Sequence, residues 1–145
     1  MSFLNSLNIT GSALTAERFR TDIILQNLAN QNTTRTADGG PYRRKQVVLR
    51  EQELSFSGQL NKAMGKKAGD GGVIAEQVVE NQEDLVPVYN PEHPDADEDG
   101  YVMMPNVNSA EEMVDLMAAS RAYEANITAL NITKAMAMKA LEIGK

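Results

Sequence analysis

The sequence contains no cysteine, no tryptophan and few other aromatic residues. Without cysteine the chain cannot form disulfides, bind a metal through thiolates or use a thiol nucleophile. Its aromatic content is only 5%, so much of the packing falls to methionine and alanine. No apolar run reaches the roughly 18 residues that a membrane-spanning helix requires. Residues 1–10 lack both basic residues and a long apolar block, and we therefore expect no general-secretion signal.

The charges are divided unevenly between the two halves of the chain. The 145 residues include 14 Lys and Arg against 20 Asp and Glu, a net charge of −6. Residues 1–67 have a balance of +5, and residues 68–145 have a balance of −11. This division suits contacts between neighbouring subunits of an assembly, and it suits equally the pairing of both halves within one subunit. The basic residues 43–45 and Arg50 lack interleaved aromatics beyond Tyr42, so we expect no nucleic-acid binding.

The clearest helix signal lies near the C-terminal end. Asn108 is a good N-cap, Glu111 follows three residues later as in a capping box, and neither Pro nor Gly occurs again before Gly144. The predicted helix has about 35 residues and a length of about 50 Å, which exceeds the span of a compact domain of this size. Helical patterns of this length indicate a coiled coil when no membrane span is present.

Two apolar seams follow this predicted helix. The first seam has heptad spacing and comprises Met113, Leu116, Ser120, Tyr123, Ile127, Leu130, Lys134, Ala137 and Leu141. The second seam is richer in alanine and comprises Ala118, Ala122, Ala125, Ala129, Ile132, Met136 and Ile143. We expect the first seam to pair with a helix near the N-terminus and the second to meet adjacent subunits, with the reverse assignment open.

The partner helix is predicted at residues 4–30. One of its faces is marked by Leu14, Leu25 and Leu28, and another by Ile9, Ala13, Ala16 and Ile23. Gly11 predicts a kink or a late start. The expected fold is mainly α, with the N- and C-terminal helices paired as a coiled coil. Residues 1–35 and 106–145 form the helical part, and 36–105 form a small β-rich middle part.

The middle part contains several strand patterns. Short antiparallel strands are predicted at residues 42–49, 73–80, 85–89 and 101–104, and a flexible loop is predicted near residues 58–72. Together they predict one small β element of three or four strands, carried on the helices.

An acidic run in this middle part matches the opening of a calcium loop. Asp95, Asp97 and Asp99 alternate and Gly100 follows, but the twelfth position is Asn106 rather than a bidentate glutamate. Prolines before the run prevent an entering helix. We expect a solvated acidic turn, and a calcium-binding interaction protein remains the alternative. His93 lacks a nucleophilic partner nearby in sequence, and we expect no enzyme activity and no cofactor.

Both terminal segments resemble the signatures of the flagellar rod and hook proteins. The N-terminal segment is Asn27-Leu28-Ala29-Asn30-Gln31-Asn32-Thr33-Thr34. The C-terminal segment includes Glu112-Met113-Val114-Asp115-Leu116 and Arg121-Ala122-Tyr123-Glu124-Ala125-Asn126. The short middle part, with its segment 88–97, most resembles that of the proximal rod subunits in this family.

The resemblance implies a structural subunit of the proximal rod of the flagellar basal body, which polymerises into the helical drive shaft that transmits motor torque across the periplasm. It also implies export by the flagellar type III apparatus without a cleaved signal peptide. The implied partners are other proximal rod subunits, distal rod subunits and the adaptor between the export gate and the MS ring, with no direct membrane insertion. We expect the assembly interface to comprise Leu14, Ile23, Asn27, Leu28, Asn30, Met113, Leu116, Ala118, Ala122, Tyr123, Ala125, Ile127, Ala129, Leu130, Ile132, Met136 and Leu141.

Overall fold

The computed structural model describes residues 3–37, 39–53, 60, 63–65 and 71–143, with no side-chain description for Phe3 and Ile143. Its elements are, in chain order, α1 (Phe3–Ala29), β1 (Lys45–Glu51), β2 (Val73–Glu80), β3 (Val86–Tyr89), β4 (Tyr101–Met104) and α2 (Ser109–Ile143). This order confirms the mainly helical fold with a small β insert. The loop predicted near 58–72 lies largely outside the described residues. Neither of the described helices is apolar enough over a sufficient length to cross a membrane.

Helix α1 is continuous over its 27 residues. Gly11 lies inside the helix, so the predicted late start at this glycine is wrong. A helical glycine costs only about 1 kcal/mol relative to alanine, and packing against both α2 and the β1–β2 pair offsets that cost.

Helix α2 has 35 residues, as predicted. Asn108 is its N-cap, because the Asn108 Oδ1 atom accepts the backbone N–H of Ala110 at 3.0 Å. Glu111 and Glu112 place negative charge in the first turn, where the helix dipole favours it.

The two helices pack antiparallel. Asn27, near the end of α1, bonds to Glu112 in the first turn of α2. Arg20, about two turns before Asn27 in α1, pairs with Asp115, which lies one turn after Glu112 in α2. This register places Phe3 opposite about residue 135 of α2 at the usual helical rise. The last two turns of α2 therefore extend beyond α1.

The face of α2 that packs on α1 shares only part of the predicted first seam. Tyr123 of that seam is exposed, whereas its neighbour Ala122 is half-buried. Leu116, Leu130 and Ala137 of the first seam are half-buried, whereas Met113 is 60% exposed and Lys134 is exposed. At four other positions the packed residue is the one just before the predicted residue. These packed residues are Glu112, Ala119, Asn126 and Thr133. Three of these four residues are polar, which is why a search for apolar spacing misplaced them. The prediction that Met113, Ser120, Ile127 and Lys134 pack on the N-terminal helix is wrong.

The strands form two separate antiparallel pairs rather than one element. In the first sheet Lys45 lies opposite Glu80 and Glu51 lies opposite Val73, with a register irregularity at Val48/Leu49. In the second sheet Val86 lies opposite Met104 and Tyr89 lies opposite Tyr101. The β1–β2 pair contacts α1 directly, so α1 packs against both α2 and this sheet.

The predicted strand bounds are confirmed for β2 and β4 and are one residue early for β3. The predicted strand at 42–49 instead begins at Lys45, because the residues before it have other partners. The N–H of Tyr42 bonds to the carbonyl of Thr33 at 3.0 Å, and the N–H of Arg44 bonds to the side chain of Asn106 at 2.9 Å.

Candidate assembly site

A buried asparagine joins the two helices to the first strand. The Asn27 side chain is 1% exposed, and its Nδ2 atom donates to the carbonyl of Lys45 at 2.8 Å and to Glu112 Oε2 at 2.9 Å. Its Oδ1 atom accepts the N–H of Lys45 and the hydroxyl of Tyr42, both at 2.9 Å. All of the usual hydrogen-bonding capacity of this amide is therefore used, and Lys45 is held by both of its backbone groups. We call Asn27, Tyr42, Arg44, Lys45 and Glu112 the polar junction.

A buried ion pair completes the polar junction. Glu112 is fully buried, and its second oxygen accepts from Arg44 Nε at 2.5 Å. Arg44 also donates to Asp115 at 3.1 Å, one turn further along α2, and the other oxygen of Asp115 lies 3.8 Å from Arg20 of α1. A buried carboxylate needs such partners, and removing one partner of a buried pair typically costs about 3–5 kcal/mol.

The segment between β2 and β3 is tied to the same place. Asn106 accepts the N–H of Arg44 and donates to the carbonyls of Asn81 and Glu83 at 3.2 and 3.3 Å. The Arg43 guanidinium donates to the same two carbonyls at 3.4 and 3.1 Å. The approach to α2 is therefore fixed to the end of the first sheet by side chains and not by strand pairing.

The environment of the polar junction shifts two pKa values. Burial raises the pKa of the Tyr42 hydroxyl above 10.0, and the charges of Glu112 and Glu80 raise it further. For Arg44, burial lowers the pKa, but the hydrogen bond and the charge of Glu112, with the charge of Asp115, outweigh that effect and raise the pKa above its usual value. Tyr42 thus stays protonated as a donor to Asn27, and Arg44 stays charged.

The acidic run forms a turn whose oxygens bond within the chain. Asp97 Oδ1 accepts the N–H groups of Asp99 and Tyr101 at 3.1 and 2.8 Å. Asp95 accepts from the hydroxyl of Thr34 at 2.8 Å and lies 3.8 Å from Arg35, which attaches the turn to the segment that follows α1. Gly100 adopts φ +81°, which closes the turn below Tyr89.

These contacts favour the solvated turn over the calcium alternative. Asn106, at the twelfth position of the calcium pattern, belongs instead to the attachment beside Arg44. No cluster of three or more His, Asp or Glu side chains suited to a metal ion occurs in the part of the chain that the structure describes. His93 accepts the N–H of Asp95 at 3.1 Å and so serves as a loop residue.

The uneven charge distribution is used partly within one subunit. Eight ion pairs join described residues, and six of them connect a cation from residues 1–67 to an anion from residues 68–145. The four basic residues 43–45 and Arg50 all contact the second half of the chain in this way or through its carbonyls. The basic cluster therefore links the two halves and does not present a free cationic surface.

The residues predicted for assembly fall into two groups in the structure. The first group is buried or half-buried. Asn27 is buried, and the half-buried members are Leu14, Ile23, Leu28, Asn30, Leu116, Ala122 and Leu130. The exposed group comprises Met113, Ala118, Tyr123, Ala125, Ile127, Ala129, Ile132, Met136 and Leu141. The second seam is thus largely exposed along α2, beside the face that packs on α1.

An apolar groove lies on the other side of α1, against the edge of β2. Its volume is about 480 Å³, and it is lined by Ser12, Thr15, Ala16, Phe19, Val73, Ile74 and Ala75. Gly72 closes one end, where a Cβ atom would lie 2.2 Å from Ser12 Oγ. The hydroxyl of Ser12 accepts the N–H of Val73 at 3.0 Å, which fixes β2 to the helix at this point.

Sequence reasoning placed only one member of the polar junction, Asn27, among the functional residues. In the sequence, Glu112 appears only as part of the C-terminal signature, and Arg44 only as part of a basic cluster. One signal for Glu112 was available, because it precedes Ala119 and Asn126 at intervals of seven residues. The partners of Arg44 and Asn106 arise from long-range packing and leave no local pattern.

Comparison with known proteins identifies relatives along the whole chain. The family model described as "Flagellar basal body rod FlgEFG protein C-terminal" matches residues 98–143. The flagellar basal-body rod protein FlgC of Bacillus subtilis (strain 168) is 49% identical to this chain, with all of both chains covered. The protein of the same name from Escherichia coli O6:H1 is 45% identical, again over both whole chains. That of Borreliella burgdorferi is 41% identical over 99% of this chain and 98% of its own.

Proposed function

The chain belongs to the FlgC family of flagellar basal-body rod proteins and is a structural subunit of the proximal rod; we propose that it polymerises there through the exposed second seam of α2 into a helical shaft that transmits torque. The single observation that carries this proposal is the exposure of that seam. Ala125, Ala129 and Ile132 are exposed and form a stripe along α2, and exposed apolar stripes of this kind mark contact surfaces. Small side chains allow the backbone of a neighbouring helix to approach closely.

The polar junction supplies the stiffness that torque transmission requires. Its buried hydrogen bonds connect α1, α2 and β1, so a force applied to the helices reaches the sheet without slippage between elements. We propose that residues 1–35 and 106–145 act as the helical part of the subunit, paired as a coiled coil, and that 36–105 form its β-rich part. Six of the eight ion pairs among the described residues link the two halves of one subunit, so these charges contribute to the fold of the subunit rather than to contacts between subunits.

The location of the subunit and its neighbouring proteins follow from its membership of this family. A rod subunit lies in the basal body, and we propose that its neighbours are other proximal rod subunits, distal rod subunits and the adaptor at the MS ring. Export through the flagellar type III apparatus, without a cleaved signal peptide, is the route we propose. The relatives are structural rod proteins and not enzymes, and we propose no catalytic or cofactor site.

The substitution Ala125→Glu tests the role of the second seam. A carboxylate at this exposed position leaves the subunit folded and exported, but it places a charge in the contact between subunits, so we expect rods that do not grow beyond this subunit. The measurement combines swimming motility, export into the periplasm and electron microscopy of isolated basal bodies. Thr128→Glu, an exposed position of the same helix outside both seams, is the control. Normal motility of the Ala125→Glu strain would exclude the proposed contact.

A further inference from the structure

The contact between α1 and α2 uses few bulky apolar side chains. Among the described residues of α2, nine are buried or half-buried, and these are two leucines, three alanines and four polar or charged residues. On α1, Ala16 is buried and Ala13 is half-buried. Small side chains fill little of the holes between residues of a facing helix, so they hold the two helices against sliding only weakly. Apolar packing alone therefore defines the register of α1 and α2 poorly.

A second register would keep the same faces of the two helices together. If α2 moved along α1 by seven residues, Ala119 would lie opposite Asn27 in place of Glu112. Asn126 and Thr133 would follow at the next two positions of the same face. Because α2 has 35 residues and α1 has 27, the whole of α1 would still lie against α2 after this shift. The length of the helix contact therefore does not distinguish the two registers.

The polar junction does distinguish them. In the observed register the two oxygens of Glu112 accept from Asn27 at 2.9 Å and from Arg44 at 2.5 Å. After the shift, Ala119 and Ala122 would stand in the places of Glu112 and Asp115, and neither alanine side chain accepts a hydrogen bond. The Arg44 side chain is only 14% exposed, so its charge would lose both carboxylates where water cannot fully replace them.

We propose that Glu112, bound to Asn27 and Arg44, determines the register in which α1 and α2 pair. Burial along the helices supplies stability, whereas the buried ion pair selects one arrangement among those with similar packing. A buried polar group fixes the register of paired helices in the same way when it finds its partners in one alignment only. The inference concerns a single subunit and does not depend on the proposed contacts between subunits.

Disulfide trapping tests this role, because the chain contains no cysteine of its own. The full chain carries Ala13→Cys with a second cysteine on α2. Asn126→Cys lies opposite residue 13 in the observed register, and Thr133→Cys would lie opposite it after the shift. All three positions are half-buried. Each pair is made in the chain with the native polar junction and in a chain with Arg44→Met and Glu112→Leu, which replace the ion pair by apolar side chains.

With the native junction we expect the Asn126→Cys pair to close on oxidation and the Thr133→Cys pair to stay at background. In the apolar variant the yield of the Thr133→Cys pair should rise several-fold, while circular dichroism shows unchanged helix content. No rise in this yield would overturn the role of Glu112, as would equal yields of both pairs with the native junction.

A further pair separates a second register from general loosening. Ala13→Cys with Thr128→Cys, an exposed position on another face of α2, should stay at background in both chains. An equal rise at this pair would also overturn the proposal. Glu112→Gln keeps the size of the side chain but replaces one acceptor by a donor, and it provides the same comparison if the apolar variant does not accumulate.

Discussion

The substitution Asn27→Ala removes the amide at the centre of the polar junction. Four hydrogen bonds are lost, one to the Glu112 carboxylate and three to neutral groups. Bonds to charged groups are worth about 1.5–3 kcal/mol and neutral ones about 0.5–1.5 kcal/mol. Because the losses are not additive and water can enter, we expect the free energy of unfolding to fall by about 3–5 kcal/mol.

Urea denaturation of the purified full chain, followed by circular dichroism, measures this loss. A fall of this size should move the unfolding midpoint by more than about 1 M urea at a typical slope. Asn30→Ala is the matched control, because among the described residues the Asn30 side chain bonds to Gln26 and Thr33, both within four residues, and we expect a loss below about 1 kcal/mol. If the two variants lost similar stability, the reasoning from buried bonds would be refuted.

Three further predictions concern Tyr42, Gly72 and Gly11. The raised pKa of Tyr42 contributes stability that is fully present below about pH 10, the unfolded value, and is lost as the pH rises through the higher folded value. Tyr42→Phe should therefore cost about 1 kcal/mol at neutral pH and flatten the alkaline decline, and an unchanged decline in alkaline denaturation curves would contradict this. Gly72→Ala places a methyl group against Ser12 and should destabilise the chain by about 1–3 kcal/mol. Gly11→Ala adds a Cβ atom that meets nothing within 4 Å and should stabilise the chain by up to about 1 kcal/mol. A melting temperature of Gly72→Ala equal to or above that of the native chain would refute the packing of Gly72, and a lower melting temperature of Gly11→Ala would refute the helix-propensity argument.

Local signals in the sequence predict most of the secondary structure. Asn108 and the absence of Pro or Gly defined α2, and alternation of apolar residues defined β2 and β4. The error at β1 has a specific cause. Residues 42–44 read as part of a strand, but their backbone and side chains bond to Thr33, Asn106 and Glu112, which are distant in sequence.

The helix interface shows why packing was only half predictable. Leu116 and Leu130 were placed correctly, because apolar spacing is visible in one dimension. Glu112 and Asn126 were missed, since a polar residue is expected inside only when its partner is known. For Glu112 those partners, Asn27 and Arg44, come from two other elements. The candidate site was therefore recognisable as two terminal motifs, but the bonds between them required the folded chain.

The two hydrogen bonds between the Asn27 side chain and the Lys45 backbone constrain the length of the connection from α1 to β1 more than the residue type at position 45. Both bonds go to the backbone of Lys45, so most side chains could stand at position 45, proline excepted. A single inserted or deleted residue between Asn30 and Arg44 would instead present a neighbouring backbone unit whose N–H and C=O point the other way. Variants of this segment should therefore accept many substitutions at residue 45 and reject changes of even one residue in the length of the connection.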